Sequence, residues 1–522
     1  MITLIRFPWV SSIGTVNNEP SPPIGLAYLA GSLKEAGFKV AGIDATGESI
    51  DNHRPFEDTR LQYNGLSISE IVEKIPRDTR IIGISSTFSH EWTFIRAGIR
   101  QIKKSFPEAI IIAGGEHPSA LPEYCLRDCL ELDYIAHGEG EDTLVEFCKN
   151  IKNGQSLEFL EGICFLSNGE FVKNPARNRI RDVDKIPWPD WEIFNLETYF
   201  SAEKSFGASF GRNMPLMLSR GCPYQCTFCS NPQMWTTRYY LRSIDDVVNE
   251  IKFYRDRYQI TGIQFYDLTA VIKKSWIIDF CKKLVEEDIK IDWSLPSGTR
   301  SEALDPEVLD WLWAANLKYL AYAPESASPT TLKLIKKKVE FPKMVESIRY
   351  AIKKGINLRA NFIIGFPHET RWNIFETLRG QLKLVLMGVD EAPVFPFQAY
   401  PGMELFDGLV KKGEIVVNDD YLNGLATLST GKFSPPDFCF SEHISKTELY
   451  IYRLAATIWM ILLSYVVRPQ RIARTIKNIF FTSKSATVLE QRLKDKIRKI
   501  FHSKPVTASE KPAKDLSTSS YS

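Results

Sequence analysis

Twice along the chain, short apolar runs alternate with amphipathic segments of helical spacing, and this alternation constrains the fold more than any other feature. A parallel strand pair needs a long crossover, usually a helix, so strand–helix alternation implies parallel sheets covered by helices. In the first series, 2–7, 39–43, 81–85, 109–113 and 133–136 read as strands. Helices read at 25–36 (GLAYLAGSLKEA, stopping at Gly37), 91–104 and 141–151. Such an open sheet binds ligands at the carboxyl ends of its strands. The loops to read are therefore 8–23, 44–48, 86–90, 114–119 and 137–140. The second series starts near Pro215, with strands at 215–219, 262–266, 290–295, 319–322, 357–365 and 394–398. Helices intervene near 243–257, 275–287, 328–337 and 341–354. Six such units predict a partial (β/α)6 barrel of TIM type, with its chemistry at the C-terminal strand ends.

The expected architecture is α/β. A doubly wound, Rossmann-like domain spans 1–151, a connector 152–212 and the barrel 213–405. A mostly helical region follows at 406–504, and a Ser/Thr/Lys-rich tail at 505–522 is predicted disordered. The connector holds a hairpin signal at Asn168-Gly169 and the segment IPWPDW at 186–191. The stretch 454–467 (LAATIWMILLSYVV) carries no charge but falls short of the ~20 residues of a membrane span, and is expected to pack on the barrel. Beyond it, Ile472, Ile476, Ile479 and Phe480, then Leu489, Leu493, Ile497 and Ile500, recur at helical spacing among basic residues, as an interfacial helix would.

Charge patterning supports that reading. The chain has 65 Lys+Arg, 63 Asp+Glu and a net charge of +2, which argues against a protein that coats nucleic acid. Between Arg468 and Lys504, however, 11 Lys/Arg face two acids, so a basic tail is joined to a mildly acidic body. Peripheral attachment to an anionic membrane surface is expected from that tail. The N-terminal residues show no secretory leader, so a cytoplasmic location, on or near the inner membrane face, is expected.

Nine cysteines are too sparse for a disulfide scaffold, and their odd number would leave one unpaired. Cys222, Cys226 and Cys229 lie within eight residues of one another. Zinc sites usually use four protein ligands, or three with His among them, and no fourth Cys or His lies nearby. Three thiolates on a four-iron cluster would leave one iron open for a small molecule. No role is predicted for Cys125, Cys129, Cys148, Cys164, Cys281 or Cys439, and no catalytic acid or base is singled out.

The run Cys222-x3-Cys226-x2-Cys229, with Phe228 before the third cysteine and a strand before the loop, resembles the signature of radical S-adenosylmethionine (SAM) enzymes. FYDLTA at 265–270, APESAS at 323–328 and INLRANFIIGFPHET at 356–370 continue the resemblance over about 210–400. It implies a [4Fe-4S] cluster on the three cysteines, an open iron that takes the amino and carboxylate groups of SAM, and an external one-electron reductant. It also implies SAM contacts from Phe228, Asp267, Glu325, Ser326 and Gly365. Many relatives carry Gly-x-Glu-x-Gly-Ser where this chain has Ala323 to Ser328, so only Glu325 and Ser326 carry over from that motif. Asp267 also reads as a strand-end cap.

Segments 22–40, 83–88, 113–123 and 133–141 resemble the cobalamin-binding domain that precedes this radical class. Asp44-Ala45-Thr46 stands where the classical pattern of that domain has Asp-x-His, so the resemblance implies cobalamin with no imidazole offered at that position. The cobalamin contacts it implies are Trp9, Asp44, Thr46, Ser85, Ser86, Gly114, Gly115, Gly138 and Glu139. His117 and His137 read as solvated loop residues. The pairing of domains implies a methyltransferase that uses methylcobalamin and acts on an unactivated carbon of a small, hydrophobic or lipid-like substrate. The same architecture serves radical oxidative cyclases of the anaerobic magnesium-protoporphyrin IX monomethyl ester type. A non-catalytic cobalamin or redox sensor is a third reading.

Overall fold

The computed structural model describes residues 1–13, 15, 20–58, 60–426 and 436–502, with side chains up to Ile497. The tail expected to be disordered, 505–522, lies outside the described residues. The first sheet has seven strands: β1 (Ile2–Arg6), β2 (Val40–Asp44), β3 (Ile81–Ser85), β4 (Ile110–Gly114), β5 (Tyr134–Ala136), β6 (Ile163–Ser167) and β7 (Glu170–Lys173). Their order is β7-β6-β5-β4-β3-β1-β2. The first five are parallel, and the hairpin β6–β7 adds antiparallel to β5. The Asn168-Gly169 turn was placed in the connector, yet its two strands belong to the first domain. The sequence alone carries no signal for which sheet a hairpin joins.

Helices α1 (Ile24–Glu35), α2 (Trp92–Ser105) and α3 (Glu141–Asn153) cover this sheet. α2 shows why. Phe94, Ile95, Ile99 and Ile102 recur on one face and are all buried, while Lys103 and Lys104 end the helix, where cations complement its dipole.

The second sheet consists of β8 (Asn213–Leu216), β9 (Gly262–Phe265), β10 (Asp292–Thr299), β11 (Leu317–Glu325), β12 (Asn357–Ile364) and β13 (Val394–Pro396). All neighbours are parallel and in chain order, as a partial barrel requires. Its helices are α4 (Ile244–Tyr258), α5 (Lys274–Glu286), α6 (Pro306–Ala314), α7 (Phe341–Lys354) and α8 (Arg371–Met387). α7 and α8 end at Gly355 and Gly388 in the left-handed conformation that glycine adopts without a Cβ penalty.

The IPWPDW segment braces the two domains. Asp190 donates its backbone N–H to the Ala27 carbonyl of α1 (2.9 Å), and a Cβ at Gly31 of α1 would collide with the Trp188 carbonyl oxygen. On the barrel side Trp188 Nε1 donates to Asp246 Oδ1 (2.8 Å), and Trp191 Nε1 donates to the Tyr254 hydroxyl (3.0 Å), both on α4. One hydrophobic core accordingly runs from Ile2 and Leu4 through Trp191 to Val394.

Toward the C-terminus lie α9 (Lys446–Val467), α10 (Gln470–Phe481) and α11 (Val488–His502). α9 has 22 residues, longer than its uncharged stretch, because a Ser445/Glu448 capping box starts it earlier and admits Tyr450 and Arg453. By length and composition it could cross a membrane, but one face packs on α8 and β13. The opposite stripe, Ile451, Ile458, Leu462 and Val466, is exposed.

Over its described residues the basic amphipathic tail, expected to be interfacial, is tied to the body by ion pairs. Arg471 donates to the Gly388 (2.6 Å) and Val389 (3.2 Å) carbonyls and pairs with Asp390. Arg474 bridges Asp390 and Glu490, Lys484 pairs with Asp292, and Lys494 with Glu203. These cations tie α10 and α11 to each other, to the barrel and to the connector.

Removing the buried Arg471 leaves three carbonyls, those of Gly388, Val389 and Ser464, without this donor and one partner fewer for Asp390. Arg471→Ala is expected to lower the unfolding free energy by about 2–4 kcal/mol, measured by chemical denaturation beside the exposed control Lys477→Ala. Equal stability of the two variants would show that α10 stands outside the cooperative body.

Candidate active site

The cysteine loop follows β8 across Gly221 and closes the carboxyl end of the barrel. Cys226 is buried, and Cys222 and Cys229 are partly exposed. Burial raises all three thiols, Cys229 to about 12, and the nearby cations of Lys337 and Arg300 pull Cys222 and Cys226 back down. Arg300 lies 3.6 Å over the Tyr224 ring, within the same loop. Soft donors, three rather than four, beneath two cations fit an iron–sulfur cluster with one open position.

A cavity of about 650 Å³ fills the barrel lumen. Phe228, Glu325, Gln398 and Met403 line it near the carboxyl ends of the strands, and Tyr319 and Arg359 toward their amino ends. Ile363, Val394 and Phe395 form apolar walls, closed laterally by Leu454, Met460 and Ile461 of α9 and by Leu489 of α11. Glu325 has φ +62, a conformation rare for a non-glycine residue, and is held there by Lys337 Nζ at 3.0 Å from Oε1. Gln398 is 3% exposed, and both its amide atoms lack a hydrogen-bond partner. Nothing in the sequence marked it: the segment simply read as the end of a strand.

The other residues assigned to SAM are set into the frame rather than the cavity wall. Asp267 accepts from the Leu218 N–H at 3.0 and 3.1 Å and from the Ser219 hydroxyl, clamping the end of β8 below the cysteine loop. It is the strand-end cap. Ser326 shares a hydrogen bond with Thr377 Oγ1 (2.6 Å). Gly365 is buried at φ +88 against Leu449 of α9, and its N–H donates to Glu369 Oε2 (2.7 Å). Glu369 also accepts from the Phe366 N–H and from Thr331 Oγ1, so the Gly-Phe-Pro-His-Glu-Thr turn is built around this one carboxylate.

The strand ends of the first domain face the same loop. Gly115 sits at φ +114, where a Cβ would stand 2.5 Å from the Ser86 carbonyl oxygen, so only glycine lets the turn after β4 close against the loop after β3. Ser86 Oγ, Ser119 Oγ, His90 Nδ1, His117 Nε2 and His137 Nε2 are buried without partners, all in the segments that follow β3, β4 and β5. Such a cradle fits a large ligand rimmed with amides, as cobalamin is, which would pair with orphaned groups of this kind. His117 and His137 are therefore not solvated: burial holds His90 at about 4 and His117 at about 3, keeping them neutral.

Trp9 packs edge-on against Phe88 (4.9 Å between centroids) and near His90 (6.3 Å). Thr46 Oγ1 accepts from the Trp9 N–H at 3.2 Å. Asp44 is engaged inward by Arg6 Nε (2.8 Å) and the Tyr199 hydroxyl (2.6 Å). Ser85 and Gly114 lie side by side in the β3–β4 ladder, and Gly138 turns at φ +85 with open space around it.

Glu139, placed among the cobalamin contacts by the resemblance, is engaged by the connector. It pairs with Arg179 Nε (2.8 Å) and accepts from the Ile180 N–H (2.8 Å), while Glu141 takes Arg220 at 2.6 Å. This buried cluster joins the last loop of the first domain to the residue two before Cys222. On the other side of the loop, the Ser230 hydroxyl donates to Glu116, just after Gly115, and burial raises that carboxyl to about 7.

Residues 12–148 match the B12 binding domain, and residues 216–379 match the radical SAM superfamily. The chain is 29% identical, over 92% of its length, to 94% of an uncharacterized methyltransferase of Pyrococcus horikoshii. It is 27% identical, over 69% of its length, to 56% of the anaerobic magnesium-protoporphyrin IX monomethyl ester cyclase of Cereibacter sphaeroides. Among solved structures, the radical SAM methyltransferase TsrM of Kitasatospora setae superposes with a TM-score of 0.62 over 79% of this chain and 76% of that one. Their identity is 17%, so this is a likeness of fold.

Burial pushes Asp267 up to about 6 and Glu369 up to about 7, against the hydrogen bonds they accept. A carboxyl whose folded pKa exceeds its unfolded one favours folding at low pH, and that contribution is lost as pH rises through the folded value. The iron-free protein should lose stability between pH 4 and 7 from these two groups. Urea denaturation across that window should show a flatter slope for Asp267→Asn, and an unchanged slope would contradict the assignment.

Proposed function

Carrying a B12-binding domain and a radical SAM domain in one chain, the protein belongs to the cobalamin-dependent radical SAM enzymes, and we propose that it transfers a methyl group to an unactivated carbon of a hydrophobic small molecule. The observation that carries the reading is the meeting of the two loops. The cysteine loop covers the lumen cavity and is bonded through Ser230 and Arg220 to the strand-end loops of the first domain. When bound, the cluster, SAM and cobalamin supply the hydrogen-abstracting and methyl-donating chemistry, with electrons from an external one-electron reductant.

The chain's own residues do the rest. Cys222, Cys226 and Cys229 hold the cluster through thiolate sulfur. Phe228 and Glu325 shape the SAM end of the cavity, and Lys337 fixes the Glu325 carboxylate so that it needs no reorganisation on binding. Gln398 offers a donor and an acceptor to whatever lies below. The apolar walls keep water from reactive species. Gly115, Ser86 and the buried histidines cradle cobalamin, with Trp9 and Phe88 on its rim.

A second reading, radical ring closure, is supported by the likeness to the magnesium-protoporphyrin cyclase, since the same cavity and loops would serve it. With methyl-labelled SAM, the methyltransferase reading expects label in the product. A cyclised product without label would favour the second reading.

The exposed stripe of α9 continues into Ile472, Ile476 and Phe480 of α10, an apolar strip on the outside of the helix whose inner face lines the cavity. This supports a substrate taken from a membrane surface by a peripherally bound enzyme. Co-sedimentation with anionic vesicles should fall for Leu462→Asp and Phe480→Asp. A wild-type protein that stays wholly in the supernatant would end the membrane part of the reading.

Cys226→Ala, reconstituted anaerobically with iron and sulfide, is expected to lose most of its cluster absorbance and at least 100-fold of its reductive SAM cleavage. Full iron content with normal cleavage would remove the cluster assignment.

A further inference from the structure

One side of the cysteine loop rests on a turn that carries Lys333, Lys336, Lys337 and Lys338, at the end of the short helix Pro329–Leu334. Two carbonyls of that turn hold the loop: Ile335 O accepts from the Thr227 N–H at 3.1 Å, and Lys336 O stands 4.0 Å from Cys226 Sγ. Lys337 turns inward to Glu325, and the other three lysines are exposed. Lys336 pairs with Glu404 (2.6 Å), whereas Lys333 and Lys338 have no acidic partner among the described residues. The neighbouring acids are engaged elsewhere: Glu302 lies 3.5 Å from Arg300 Nε, and Glu340 lies 2.8 Å from Lys343. Leu334, between these cations in the chain, is half-exposed. On the other flank of the loop the Arg238 backbone packs on Gly221, and its side chain is exposed.

The place of this turn matters because of what surrounds the loop. The lumen lies beneath, and the first domain closes one side through the Ser230 to Glu116 and Arg220 to Glu141 contacts. Pro223 and Gln225 of the loop are exposed beside the lysine turn. Electron tunnelling weakens steeply with distance, so a donor outside the protein has to come over this face to reach a cluster on Cys222, Cys226 and Cys229. The face is positive on a body that is otherwise mildly acidic.

We propose that the turn Lys333 to Lys338 is the docking face for a small acidic electron-carrier protein, which delivers the reducing electron to the cluster. The proposal rests on the cluster assignment of the cysteine loop and is independent of which bond the enzyme makes. Electron-transfer encounters are small, below about 1,200 Å² of buried surface, and opposite charges steer them. Exposed lysines around one half-exposed leucine match such a footprint. In the transfer the carrier is oxidised by one electron and the cluster reduced by one, with no bond made or broken.

The test uses the full chain, reconstituted anaerobically with iron and sulfide, and an acidic flavodoxin in its hydroquinone state as the probe. Loss of one electron turns the hydroquinone into its coloured semiquinone, so stopped-flow absorbance reads the transfer itself. The wild-type rate is expected to fall about tenfold between about 0.01 M and about 1 M salt, as the screening length shrinks from about 30 Å to about 3 Å. Lys333→Glu and Lys338→Glu should each slow it about fivefold at low salt. Lys333→Arg, Lys338→Arg and the distant Lys477→Glu should leave it unchanged. SAM cleavage driven by excess dithionite, a small reductant that needs no docking face, should be the same in every variant. A rate that ignores salt, a rate unchanged in both Lys333→Glu and Lys338→Glu, or an equal loss with dithionite overturns the proposal. Cluster absorbance is read before any carrier is added. Wild-type protein that holds no cluster contradicts the cluster assignment and the proposal with it, whereas cluster-loaded protein indifferent to these charges contradicts the docking face alone.

Discussion

A buried ion cluster of four side chains fixes where the chemistry can occur. Glu139 and Glu141 come from the first domain, Arg179 from the connector and Arg220 from the barrel. All four are nearly inaccessible to solvent, and Tyr28 and Trp235 stack on the guanidinium groups. Charges in such surroundings tolerate no mismatch, since a partner displaced by an ångström leaves a desolvated ion. The two domains are thereby locked in one register, with the cysteine loop against the strand ends of the first sheet. Two large cofactors that must address one substrate atom need that kind of fixed separation.

The clamps around the cavity follow a common design. Asp267, Glu369 and Glu391 each accept several backbone or hydroxyl hydrogen bonds at the end of a strand or the start of a helix. Each stands where a chain reversal would otherwise leave N–H groups unsatisfied. The motifs FYDLTA and GFPHET thus owe much of their pattern to building loops, and Glu325 alone of the four assigned motif residues Asp267, Glu325, Ser326 and Gly365 reaches the cavity.

The six barrel strands and the five parallel strands of the first sheet were legible in the sequence because apolar run length and helical periodicity report burial directly. The cysteine loop was legible because thiolates at that spacing serve few chemistries. What escaped was everything set by contact between distant segments. Glu139 looked like a ligand at a strand end, and only the approach of Arg179 makes it a domain tie. His117 looked solvated in its loop, and only the packing of Trp92 and Ser89 around it makes it buried. The basic run after Arg468 read as an interfacial tail because acids at 203, 292 and 390 are too far away in sequence to be paired with it by eye.

The late wall of the cavity also orders assembly in time. The last barrel strand ends at Pro396, whereas the residues of α9 and α11 that close the lumen run from Tyr450 to Arg492. A chain synthesised from its N-terminus at ~5–20 residues per second leaves the ribosome with a formed barrel that stays open on one flank for several seconds. In that interval the lumen is a trough rather than a chamber, and its cofactors face no lateral barrier to entry.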